Sequence, residues 1–206
     1  ISWKLVHKEY SENELICDEQ TQGPFGSWKH YHRFIAQPGP SCRMRDEVHF
    51  TLPCGMRLGS PFVVGELTRL FRYRHMILKN DLALHARFKD APRKTILISG
   101  SSGFIGSALC AFLSTAGHTV IRLVRHSTHN PNERSWDPAQ ATLNPSVFDG
   151  VDVVIHLGGE SLLGRRWTPD YKRQIVKSRT QSSALLCSTI AGLKRKPEVV
   201  IMASAI

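Results

Sequence analysis

Apolar and polar positions alternate in short runs along the first part of the chain, and turn residues interrupt them. Residues 3–10, 15–21, 28–37 and 42–52 carry the strand signature, separated by Ser11-Glu12-Asn13, Gly23-Pro24 and Pro38-Gly39-Pro40. In the third run Tyr31, Arg33 and Ile35 alternate with His30, His32 and Phe34, a period of two that gives a sheet two different faces. After Pro61 the period lengthens. Val64, Leu67, Leu70, Phe71, Arg74, Ile77 and Leu78 recur at three- and four-residue steps, which predicts an amphipathic helix running toward Leu84. The expected order is an antiparallel meander followed by one long helix.

Charges and Pro92 mark residues 88–93 as a linker, and the texture then changes. Residues 95–99 form a short apolar run, Thr-Ile-Leu-Ile-Ser. Residues 104–116 have helical periodicity through Ile105, Leu109, Phe112 and Leu113, with Gly117 at the stop. Strands are expected at 119–124, 151–157 and 199–203, and a long helix at 170–193. Strands alternating with helices imply a parallel sheet. The fold class read from the pattern is α/β: a parallel sheet with crossover helices, preceded by the meander and its helix.

Between the first strand and helix of the second region stands Gly100-Ser101-Ser102-Gly103-Phe104-Ile105-Gly106. Gly100 permits a tight turn, Gly103 lets the backbone approach a pyrophosphate, and Gly106 lets helix and strand pack closely. The first amides of the helix then face the phosphates, and the helix dipole favours their charge. In this strand–turn–helix context the pattern points to a dinucleotide site; no Gly-Lys-Ser/Thr follows, so it is not a P-loop. The second strand ends Leu123-Val124-Arg125-His126-Ser127, with no acid before Glu133. An NAD site usually places Asp or Glu there for the ribose 2′-hydroxyl, whereas Arg125 suits a 2′-phosphate. NADP is therefore the expected cofactor and NAD the alternative. Arg122, three positions earlier, is expected on the opposite face.

Composition narrows the field further. With 206 residues, 41% hydrophobic and 21% charged, the chain can bury a core; whole-chain disorder, collagen and coiled coil are excluded. The net charge is +10, from 27 basic and 17 acidic residues, but the basic positions are scattered. A solvated basic surface and a phosphate-bearing cofactor account for it without nucleic acid. No apolar run reaches the ~20 residues that span a bilayer. The five cysteines, Cys17, Cys42, Cys54, Cys110 and Cys187, are odd in number and lack metal-ligand spacing, as expected of a reducing, cytoplasmic setting.

The glycine spacing is that of the short-chain dehydrogenases. Residues 94–206 resemble the N-terminal half of an epimerase-like, atypical extended short-chain dehydrogenase/reductase. The resemblance rests on Ile98-Ser99-Gly100 through Gly106, Leu123-Val124-Arg125, Trp136-Asp137-Pro138, and Val154-Ile155-His156-Leu157-Gly158-Gly159-Glu160. Arg165-Arg166-Trp167-Thr168 and Lys177-Ser178-Arg179-Thr180 complete it. It departs at Gly158, where most relatives have Ala. It implies cofactor contacts at Gly100, Ser102, Gly103, Phe104, Ile105, Gly106, Arg125, His156, Leu157, Gly158 and Gly159. Residues 1–88 are similar to the C-terminal part of a START-like, polyketide-cyclase-type domain. That likeness is carried by Asp18-Glu19-Gln20, Gly23-Pro24-Phe25, Trp28-Lys29-His30, Asp46-Glu47-Val48 and Leu70-Phe71-Arg72-Tyr73-Arg74-His75. It implies a sheet wrapped on a helix around an apolar ligand. Both likenesses are partial, so together they imply a truncated Rossmann-like parallel sheet preceded by a truncated α+β helix-grip segment, and the chain is expected to be a piece of a longer protein.

The reductase mechanism implied by the resemblance needs a Tyr-x-x-x-Lys pair, in which the lysine lowers the phenol pKa. Four residues after Tyr10, Tyr31, Tyr73 and Tyr171 stand Glu14, Ile35, Ile77 and Ile175, so no pair is present. The substrate-orienting serine falls on Ser204, in Ala203-Ser204-Ala205-Ile206. The parent is expected to be an NADP-dependent oxidoreductase or a nucleotide-sugar-type epimerase, and this chain alone to bind cofactor. The other reading is a non-catalytic protein that senses NADP and holds an apolar ligand. Expected partners are a small-molecule substrate or apolar ligand, not nucleic acid or membrane. His156 either touches the cofactor or is a packed core histidine, and Glu160 either serves as an acid or base or orients loops. Arg165 and Arg166 either clamp an anionic substrate or form an exposed pair. His30 and His32 share a strand face and could reach one metal, but with no third ligand nearby they read as alternating surface histidines, and no metal site is expected.

Overall fold

The computed structural model describes residues 2–39, 41–53, 60–162 and 164–204. Pro40 of the third predicted turn, Cys54, and Ala205 and Ile206 after Ser204 lie outside them. The chain divides into two compact units, 1–80 and 81–206.

The first unit is a four-stranded antiparallel meander, β1 (Lys4–Ser11), β2 (Leu15–Gln22), β3 (Ser27–Gln37) and β4 (Ser41–Thr51), in sequential order. Asn13 and Gly39, both at positive φ, sit at the turns leading into β2 and β4, where the left-handed region favours Asn and Gly. The register pairs Asp18 with His30, and His32 with Asp46. One face gathers Trp3, Phe25, Trp28 and Phe50 into an aromatic cluster with centroid spacings of 4.8–6.3 Å. His30 lies beside this cluster and is 5% exposed, so the expectation of alternating surface histidines is corrected. Its ring packs edge-on against Phe71 of α1 (Ser60–Arg87), the predicted long helix.

The inward line of α1 differs from the predicted one. Val63, Leu67, Phe71 and Leu78 are half-buried, while Val64, Leu70 and Ile77 are exposed, and no residue of α1 is fully buried. Apolar residues stand on more than one side of this helix, so periodicity alone did not select the face.

The second unit is a five-stranded, all-parallel sheet in the order β7-β6-β5-β8-β9. Its strands are β5 (Thr95–Ser99), β6 (Thr119–Val124), β7 (Glu133–Ser135), β8 (Val153–His156) and β9 (Val199–Met202). Helices α2 (Phe104–Thr115) and α3 (Pro169–Ala191) follow β5 and β8. The unbroken apolar run of β5 arises because both faces are covered. Ile96 and Ile98 pack with Leu109, Cys110 and Leu113 of α2, while Leu97 packs with Leu186 and Ile190 of α3. α2 ends as predicted: Gly117 has φ +84°, and the amides of Gly117 and His118 bond to Ser114 and Leu113, a Schellman closure. α3 starts at Thr168, whose hydroxyl accepts from the Tyr171 amide, with Pro169 next. The sequence pattern did not predict β7 or the short 3-10 helix Pro145–Phe148, whose Val147 and Phe148 close one side of the core.

Candidate functional site

A cavity of about 900 Å³ opens at the carboxyl ends of the central strands, where the order reverses on either side of β5. Open α/β sheets bind ligands at this switch point. Its walls are the turn after β5, the end of β6, the segment after β8 and one side of α3.

The turn is held by glycine at two positions. Gly100 has φ +73°, and a Cβ there would lie 2.8 Å from the backbone of Leu157 and Gly158. A Cβ on Gly106 would lie 2.1 Å from the Gly100 carbonyl oxygen. Strand end and helix start therefore touch through bare backbone. Gly103 differs: its φ is −72°, and an added Cβ would meet only the Gly100 carbonyl oxygen, at 3.2 Å. Gly103 is the N-cap of α2, no side chain caps it, and no acid occupies the first turn. The first amides of α2 have no intrahelical acceptors, so this helix start can receive an anion.

The structure brings Gly100, Ser102, Gly103, Arg125, His156, Leu157, Gly158 and Gly159 to the cavity wall. Phe104 and Ile105, 96% and 67% exposed, and buried Gly106 are not in that wall; what they offer is backbone at the helix start. Ser204 follows β9 and is not in the wall. Arg122 requires a correction: it lines the cavity together with Arg125 despite its odd spacing on the strand. Neither guanidinium forms an ion pair with a carboxylate among the described residues.

His156 is a buried histidine at the cavity floor. Its Nδ1 contacts the Ser99 hydroxyl, and its Nε2 lies 2.9 Å from the Ser182 hydroxyl. Ser182 gives its proton to carbonyls of α3, so it accepts from Nε2–H, and Ser99 donates to Nδ1. Burial pushes the imidazole pKa down, in keeping with this neutral tautomer. Both ring nitrogens are engaged, and Trp136 stands edge-on at 6.0 Å.

Other wall residues were not singled out from the sequence as site residues. Gln174, Lys177, Ser178, Gln181 and Ser182 form a polar stripe at three- and four-residue steps on α3. That stripe, on a helix otherwise covering a sheet, was the available signal. Ser178 accepts from the Glu160 amide at 2.9 Å, and Arg179 packs beneath Gly159, so α3 supports the segment after β8. Glu133 reaches the wall because β7 pairs with β6, opposite Arg122, and one of its carboxylate oxygens accepts from Thr128 at 2.7 Å. Arg165 and Arg166 are exposed, and the Tyr171 hydroxyl donates to the Ser161 carbonyl.

Residues 96–205 match the sequence profile of the NAD dependent epimerase/dehydratase family. An epimerase family protein of Mycobacterium bovis is 38% identical over 96 residues, 47% of this chain and 32% of that protein. A human epimerase family protein is 29% identical over 113 residues, 54% of this chain and 36% of that protein. The chain thus spans about a third of the length of the curated relatives it matches. A crystal structure described as the nucleoside-diphosphate sugar epimerase from Corynebacterium glutamicum aligns with a TM-score of 0.75 at 31% identity, over 95% of this chain and 40% of that one. With more than half of its residues inside the matched profile, this chain belongs to the NAD dependent epimerase/dehydratase family.

Proposed function

We propose that residues 94–206 bind a nicotinamide dinucleotide in the cavity at the end of β5. The pyrophosphate rests on Gly100, Ser102 and Gly103 and on the first amides of α2, at Phe104, Ile105 and Gly106. Leu157, Gly158 and Gly159 form the opposite wall, and His156 sets the floor. The observation that carries this reading is the bare-backbone contact of Gly100 with Gly106 and Gly158, which leaves an uncapped helix start facing a cavity of about 900 Å³. The test is Gly103→Val. Its φ of −72° is open to any residue, but an added Cβ would press on the Gly100 carbonyl oxygen at 3.2 Å, so the fold of the variant is checked by circular dichroism before binding is read. Calorimetry should register loss of NADPH binding; undiminished binding by a folded variant would remove this turn from the site.

NADP is the favoured cofactor, because Arg125 and Arg122 supply two guanidiniums free of ion pairs at the end of β6. Ser204, just after β9, is assigned the role of orienting substrate. The activity of the whole protein is proposed as NADP-dependent oxidation–reduction or nucleotide-sugar-type epimerisation. It needs a Tyr-x-x-x-Lys pair that these 206 residues do not contain. Residues 1–88 are proposed as the C-terminal part of a START-like domain. A hollow of about 590 Å³, bordered by Phe25, Phe62, Leu67, Leu70 and Tyr73, supports an apolar ligand there. A reducing, cytoplasmic setting is supported by the free thiols of Cys17, Cys42, Cys110 and Cys187.

A further inference from the structure

The first unit holds a cluster that the dinucleotide reading does not use. β3 presents His30 and His32 on one face. Asp18 of β2 lies directly opposite His30, and Asp46 of β4 directly opposite His32. Two imidazoles and two carboxylates thus form a square on the sheet, and the side chains of His30 and Asp46 are about 6% and 5% exposed. Asp18, His30 and His32 each bring one donor atom within 4.8 Å of the others.

We propose that Asp18, His30 and His32 form a binding site for a divalent transition-metal ion of the zinc type. The spacing of the donor atoms is the first support. His32 Nδ1 lies 2.8 Å from Asp46 Oδ1, and its other ring nitrogen, Nε2, faces Asp18 Oδ2 at 3.4 Å. A charge-assisted hydrogen bond between those two atoms would be about 2.7–2.9 Å long. Two ligands on a tetrahedral zinc ion, each about 2.0–2.1 Å from the metal, stand about 3.3–3.4 Å apart. The observed separation is that of a ligand pair.

The surroundings match what holds metal ligands elsewhere. Ligating histidines give their other nitrogen to a carboxylate, which fixes tautomer and ring direction. Asp46 does this for His30: its Oδ1 pairs with His30 Nε2 at 3.0 Å and lies beside His32 Nδ1, and its Oδ2 pairs with His75 of α1. The second oxygen of Asp18 is held by His7 Nδ1 at 2.6 Å. Three protein donors leave a fourth position for water or another ligand.

The test uses the whole chain, stripped of metal with a chelator and titrated with Co²⁺ alone. One ion per chain is expected, with the intense visible bands of a four-coordinate centre, bleached by one equivalent of Zn²⁺. Asp18→Asn, which keeps shape and removes the anionic donor, should weaken binding at least about tenfold. Asp46→Asn should weaken it by about 10–100-fold through the supporting bonds. His49→Gln, on the other face of β4, should leave it unchanged. His32→Gln should abolish the bands; if that variant does not fold, the near-isosteric Asp18→Asn carries the decision. Folded wild-type chain that takes up no Co²⁺, or Asp18→Asn with undiminished uptake, overturns the site and leaves the cluster as one of hydrogen bonds and ion pairs alone.

Discussion

The cofactor choice rests on single residues at the end of β6. Arg125 and Arg122 both line the cavity, so the expectation drawn from strand alternation, that only Arg125 is placed for it, gives way to a pair. A guanidinium fork recognises the 2′-phosphate that distinguishes NADP. A charge-assisted hydrogen bond contributes about 1.5–3 kcal/mol, or roughly tenfold to a hundredfold in affinity. Arg125→Asp is expected to weaken NADP binding by about that factor and to leave NAD binding nearly unchanged; Arg122→Asp, made in parallel, apportions the effect between the two. The measurement is the ratio of the two dissociation constants at one ionic strength. An unchanged ratio in both variants would free this strand end from the 2′ position. Glu133, the nearby acid, has one oxygen tied to Thr128, which limits its competition for the ribose.

At the scale of elements, His156 ties β8 to β5 through Ser99 and to α3 through Ser182. The network works with a neutral ring, and burial lowers the imidazole pKa. The unfolded chain protonates this histidine near pH ~6.5, where the folded protein does not. The unfolded state then binds more protons, so stability falls as pH drops through about 6.5, continues to fall toward the folded pKa, and is flat above about pH 7.5. His30 and His118 are pushed down as well, mainly by burial, so the His156 share is read by difference. His156→Gln is expected to melt lower at pH 7.5 but to lose less between pH 7.5 and 5.5 than the wild type. Equal losses would place the acid sensitivity elsewhere. The elements joined here were legible to different degrees. The apolar run of β5 and the glycines before α2 announced themselves, because a doubly covered strand and a helix start each leave a local signature. β7 has three residues and exists only because β6 offers an edge. The α3 stripe needed the knowledge of which side of that helix meets the strand ends. The burial of His30 and the nearness of Asp18 and Asp46 needed the register of three strands, and no spacing along one strand contains it.

The molecule as a whole carries two textures, a meander with a long helix and a doubly covered parallel sheet, and it divides into units 1–80 and 81–206. The division falls inside α1, whereas charge and Pro92 placed the joint at 88–93. The two positions make different predictions for proteolysis. Residues 80–87 are helical, so their amides are hydrogen-bonded and the chain there resists the extended conformation a protease needs. Residues 88–93 are all exposed, and the backbone bonds of 88–91 are local turns back to His85, Ala86 and Phe88. Lys89 and neighbouring Arg87 offer tryptic bonds in or beside this stretch. Brief digestion with trypsin at low ratio is expected to cut there before it cuts within the meander or the parallel sheet, and mass spectrometry of the first two fragments locates the bond. Arg165 and Arg166 are one competing exposed site; NADPH should slow cleavage there, because the neighbouring segment after β8 lines the proposed cofactor cavity, and should leave the 88–93 cut unaffected. First cleavage inside the meander or the parallel sheet, with 88–93 intact, would mean that the joint is not a linker and that the two textures share one cooperative fold.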